Sequence, residues 1–63
     1  MTFRWVLLSG PKDVSGQSQE FPTQDEAESW MGEDYKRLLD EGHLAATLVG
    51  PEGELYTMKL TPD

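Results

Sequence analysis

Residues 23–42 read TQDEAESWMGEDYKRLLDEG, and the fold turns on whether Gly32 splits them into two helices or leaves one. The start is well marked. Thr23 and Glu26 have the spacing of a capping box, in which the threonine hydroxyl accepts from the N–H three residues on and the glutamate reaches back to the Thr23 N–H. Asp25, Glu26 and Glu28 stand where the positive end of the helix dipole favours acids. The stop is marked as well, since Gly42 follows Leu38-Leu39-Asp40-Glu41 and suits the left-handed position just past a helix end. At about 100° per residue, Ala27, Trp30, Met31, Tyr35, Leu38 and Leu39 fall within one arc of roughly half the circumference. The register after Gly32 continues the register before it, and a break would have no reason to preserve phase. The sequence predicts a single amphipathic helix.

Two residues inside that helix ask for an explanation. A glycine there costs about 1 kcal/mol relative to alanine. Gly32 lies at the margin of the apolar arc, beside Leu39, so the expected compensation is a strand or the Tyr35 ring approaching its backbone. Asp34 falls inside the arc, between Trp30 and Leu38. The ordinary explanation is a kink or an uncovered helix end, with Arg37 three residues on as partner. The functional one is a carboxylate set beside Trp30. Catalysis there would need a second acid or a base nearby, and the sequence identifies none.

Outward from the helix, strands are expected on both sides. Phe3-Arg4-Trp5-Val6-Leu7-Leu8 is rich in aromatic and branched residues and ends at the turn signal Ser9-Gly10-Pro11. Phe3, Trp5 and Leu7 share one face, and Val6 and Leu8 the other, so this strand belongs at the centre of its sheet. Lys12 to Gly16 reads as a turn. Gln17 to Phe21 reads as an edge strand paired back onto the first, with Pro22 biasing Phe21 away from helical dihedrals. After the helix, His43 to Val49 and Leu55 to Leu60 alternate as an antiparallel hairpin around Gly50-Pro51-Glu52-Gly53-Glu54. Leu44, Ala46 and Leu48 share a face, as do Tyr56, Met58 and Leu60. The expected architecture is a single α+β domain over residues 1–63 with ββαββ order. Its four-stranded, mainly antiparallel sheet would carry the helix across one face.

Composition narrows the function. Five basic residues against twelve acidic ones give a net charge of −7, which opposes nucleic acid and anionic membrane surfaces. There is no cysteine, hence no disulfide framework and no thiolate metal site. No signal-peptide pattern and no apolar run of about 20 residues is present. The expectation is a cytoplasmic protein without cofactor, metal, membrane or nucleic-acid partner.

His43, the only histidine, would need Asp40 and Glu41 as co-ligands to hold a metal; a histidine near a helix end more often meets the last carbonyls. Ser9, Ser15, Ser18 and Ser29 lack any nucleophile motif. The segment from Gly10 to Gly16 lacks the G-K-[ST] tail of a phosphate loop. The aromatics Phe3, Trp5, Phe21, Trp30, Tyr35 and Tyr56 lack the interleaved cations of a stacking platform. Trp5 and Trp30 are hard to bury completely together, and an exposed one would mark a contact surface. Seven acids from Asp25 to Glu41 against Lys36 and Arg37 make the outer helix face acidic.

The string F-x-x-x-x-E-A-E-x-W-M-G from Phe21 to Gly32, with the closing Tyr56-Thr57-Met58-Lys59-Leu60-Thr61-Pro62, resembles a group of small uncharacterised single-domain bacterial proteins, chiefly actinobacterial. The resemblance spans Trp5 to Pro62 and implies no activity, partner or catalytic residue.

Three functions from different classes follow. The preferred one is a non-catalytic binding or adaptor module that contacts protein, or a second copy of itself, through the sheet. The second is an acidic regulator that binds a basic protein through the helix face. The third is a small-molecule or metal-dependent enzyme, which would require a pocket joining Asp34, Trp30 and His43. The residues expected at an interaction surface are Trp5, Val6, Leu8, Glu28, Glu33, Asp34 and Asp40.

Overall fold

The computed structural model describes residues 1–10 and 13–61. In chain order its elements are β1 (Arg4–Leu8), β2 (Val14–Gln17), α1 (Gln24–Asp40), β3 (Ala45–Gly50) and β4 (Gly53–Lys59). The four strands form one antiparallel sheet in the order β2-β1-β3-β4. This is the expected α+β, ββαββ arrangement, with β1 inside the sheet as its two apolar faces require.

The helix is continuous through Gly32. Thr23, extended at φ −137°, accepts from the Glu26 N–H at 3.2 Å, so the threonine arm of the capping box is formed. At the far end Gly42 takes φ +102°. That turn lets the Gly42 N–H reach the Leu39 carbonyl and the His43 N–H reach the Leu38 carbonyl, each at 3.0 Å. The two bonds are those of a Schellman ending. His43 thus closes the helix with its backbone, and β3 begins at Ala45 rather than at His43.

Register decides which face the helix covers. Trp5 stands opposite Leu48, and Leu7 opposite Ala46. These four side chains join Phe21, Ala27, Met31, Leu38 and Leu60 in the core. The indole Nε1–H of Trp5 donates to the Ala27 carbonyl at 2.8 Å, which satisfies its buried donor and ties the helix to the sheet. Val6 and Leu8 lie on the other face with Thr47 and Thr57, whose hydroxyls meet at 2.7 Å.

Four expectations need correcting. The second strand lies earlier than Gln17–Phe21. The Ser18 hydroxyl takes the Trp5 N–H at 2.8 Å, in place of a backbone carbonyl, and interrupts the ladder there. Pairing resumes only at the Phe3–Phe21 bridge. Part of the expected turn, Lys12, lies outside the described residues, while Val14 to Gly16 belongs to β2. Leu44 is 45% exposed, although its backbone extends the sheet by bonding to Leu8 and Leu60. Trp5 cannot be a surface residue, since it is 0% exposed beneath the helix. Finally, nothing packs on Gly32: an added Cβ would meet no atom within 4 Å.

Candidate functional site

The unfilled space at Gly32 is one wall of a groove of about 790 Å³ between α1 and β4. The helix wall carries Glu28, Gly32, Tyr35, Lys36 and Leu39. The strand wall runs from Tyr56 through Met58 to Thr61, over a floor that includes Trp5 and Met31. Glu28, Gly32 and Lys36 are four residues apart and so stand one above another along the helix. The row reads acid, gap, cation. Tyr35 on the helix and Tyr56 on β4 remain partly exposed, so the outermost strand is incompletely covered on this side.

One end of the groove is a polar clasp. The Tyr56 hydroxyl donates to the Glu28 carboxylate at 2.7 Å, and the Gln24 amide donates to the same oxygen at 3.1 Å. The Tyr56 bond, with a lesser part from Gln24, holds the Glu28 carboxyl below its usual range. Burial of the phenol, reinforced by the hydrogen bond and charge of Glu28, pushes Tyr56 up to about 12. The Tyr56 ring also meets Trp5 edge-on, with centroids 5.9 Å apart, so the clasp rests on the core. Toward the other end stand Lys36 and Lys59, neither with a carboxylate within 4 Å among the described residues.

The groove also adjoins a free sheet edge, because β4 is the last strand. The Leu60 N–H bonds inward to Leu44. Alternation then turns the backbone groups of Thr57 and Lys59 outward, without a strand to pair them.

The residues expected at a surface are scattered. Glu28 is on the groove rim, while Glu33 and Asp40 are exposed on the outer helix face. Val6 and Leu8 are half-buried on the face the helix leaves open. Asp34, 31% exposed, lies 3.7 Å from Arg37 Nε, the partner expected three residues on. Trp30 is half-buried against Phe21, with centroids 5.6 Å apart. The groove takes in none of Asp34, Trp30 and His43. Its own residues Gly32, Tyr35, Lys36, Tyr56 and Met58 were read as core or as solvated surface. The uncompensated glycine was the one signal that pointed to them.

A second polar cluster adds Ser15 to His43 and Glu41. Ser15 Oγ lies 2.6 Å from His43 Nδ1, and Glu41 Oε1 lies 3.6 Å from Nε2. The Ser15 hydroxyl also reaches the Leu7 carbonyl at 3.3 Å. The cluster clips the edge strand β2 to the helix ending.

Among the described residues no helix is long and apolar enough to cross a membrane, and no three His, Asp or Glu side chains gather as a metal-binding group. Comparison of the chain with protein-family models, with curated proteins and with solved structures gives no match.

Proposed function

We propose that the chain is a non-catalytic binding module that takes an extended apolar segment of a partner protein along the groove between α1 and β4. The segment adds to the free edge of β4 through the backbone groups of Thr57 and Lys59, and its alternate side chains drop into the groove. Strand addition of this kind draws affinity from main-chain hydrogen bonds and specificity from side-chain pockets. The groove's volume is in the range of sites that bind ligands, and its lining is mostly apolar with a few convergent polar groups.

The observation that carries the reading is Gly32. Its helix forgoes about 1 kcal/mol and receives no packing in return, which is what a site kept open at the expense of stability looks like. Leu55, the extra residue that bulges β4 against β3, together with Glu54 and Lys59, guards the edge against indiscriminate pairing.

Selection of peptides from a random displayed library tests this. Enriched sequences should alternate apolar residues. They should lose binding to Gly32→Phe, which fills the groove, and keep it with Glu33→Lys on the outer helix face. Enriched peptides indifferent to Gly32→Phe would contradict the proposal.

A second reading is self-association through the open sheet face. Val6, Leu8 and Val49 are only half-buried there, and Val14 is largely exposed. Sedimentation at millimolar concentration separates the two: a monomer counts against self-association and leaves the groove reading untouched.

A further inference from the structure

The groove is electrically polarised along its length, and this says which part of a partner it takes. Glu28 to Lys36 is eight helical residues, an axial distance of about 12 Å. Tyr56 to Lys59 is three strand residues, about 10 Å. The Glu28–Tyr56 contact fixes the two walls against each other at one end. At the other end the Leu60 N–H bonds to the Leu44 carbonyl, just beyond the helix terminus. Helix and strand therefore run in the same direction, and both lysines stand toward the far end.

Acids outnumber cations twelve to five, yet the two cations on the groove rim, like Arg4 on β1, have no carboxylate partner within 4 Å among the described residues, whereas Arg37 has two. The acid on the rim is already occupied, since the Glu28 carboxylate accepts from both Tyr56 and Gln24. Lys36 is the nearer charge, being in the same helix row as the Gly32 gap. Lys59 alternates with Met58 and Leu60, so its side chain leaves β4 on the opposite face and its charge reaches the groove around the free edge.

Resting on the strand-addition reading, we infer that the groove takes the C-terminal end of a partner protein, with apolar side chains along Gly32 and Met58 and the free α-carboxylate at Lys36 and Lys59. The bound segment then runs parallel to β4. An N-terminal ammonium is placed wrongly at this end. An internal segment leaves the lysines unused unless it carries an acid there.

The probe is a seven-residue peptide of alternating leucine and serine, N-acetylated, made as the free acid and as the C-terminal amide. Affinities are read by fluorescence anisotropy at low salt. The acid should bind roughly fivefold to tenfold more tightly than the amide, since each exposed ion pair is weak. The preference should vanish in Lys36→Met/Lys59→Met, which removes both charges. Equal binding of acid and amide overturns the carboxylate assignment and leaves the groove reading standing. Binding of neither overturns both. Sodium decanoate serves as a third probe: lysine-dependent binding of decanoate without binding of the peptide acid would assign the groove to a free apolar acid and overturn the inference.

Discussion

The two flanks of α1 rest on the same sheet and end differently. Toward β2, the helix is closed by Trp30, whose ring lies against Phe21, itself held by a two-way backbone bridge to Phe3. Toward β4, at the corresponding margin of the apolar arc, stands Gly32, and an open groove takes the place of a ring. Both flanks carry an aromatic residue, Trp30 on one and Tyr35 on the other. They differ in whether the marginal helix position carries a large side chain or none. In a domain this small, one missing side chain is enough to turn a packing seam into an open groove, and the cost is only that of a helical glycine.

Trp5 supports both flanks, so its loss should have the largest effect. Trp5→Ala removes a fully buried ring and its hydrogen bond to Ala27. The expected cost is about 3–5 kcal/mol, comparable with the whole net stability of a domain this size. Far-ultraviolet circular dichroism at 25 °C should report a largely unfolded chain. A cooperative urea transition close to that of the original chain would show that the flanks do not share this support.

Trp30→Ala breaks the closed flank alone. Because the ring is only half-buried, about 2 kcal/mol is expected from urea unfolding, less than a fully buried aromatic costs. The groove should be unaffected, so any peptide that binds the original chain should bind this variant equally at temperatures where both are folded.

The sharpest contrast comes from one substitution made at two glycines. Gly32→Ala meets open space at helical dihedrals and should raise stability by about 1 kcal/mol. Gly42→Ala forces a side chain into φ +102° and should lower it by about 1–2 kcal/mol. Thermal unfolding of the two variants in parallel checks the opposite signs. A destabilised Gly32→Ala would mean that the glycine serves packing after all.

The smallest effect belongs to the clasp. Tyr56 has a folded pKa of about 12 against an ordinary 10.0, so the folded state keeps its proton while the unfolded state loses it. Its contribution is complete below pH 10 and is lost as pH rises toward 12. Glu28 is lowered from 4.5, so its contribution is present above that pH and is lost as pH falls through the depressed value. Tyr56→Phe should flatten both limbs of the stability profile. Because Glu28 is exposed and Tyr56 only partly buried, the change at each limb should be small. A profile identical to the original would remove the clasp from the energetics.

Much of the fold was legible in the sequence because several signals agreed. Thr23, Gly42 and the unbroken apolar phase all fixed one helix, and the alternation on both sides of Gly50–Gly53 fixed the second hairpin. The second strand was placed too late because the ladder ends at Gln17, where the Ser18 hydroxyl takes the next backbone donor of β1, and only the Phe3–Phe21 bridge pairs beyond it. Trp5 was misjudged on size alone; its indole found a partner in a helix carbonyl, which periodicity cannot reveal. The groove was half legible. Gly32 was recognised as lacking a reason, and a nearby ring was expected to supply one, but whether space beside a helix is filled depends on how far the edge strand extends past it. That distance follows from the strand order, which local patterns do not encode.

The most direct measurement is a ¹⁵N chemical-shift map of the chain titrated with the alternating leucine–serine peptide acid. Shifts should concentrate on Gly32, Tyr35, Lys36 and Met58, and on the outward amides of Thr57 and Lys59. Shifts gathered on Val6, Leu8 and Thr47 would place binding on the open face of the sheet and contradict the groove as the site.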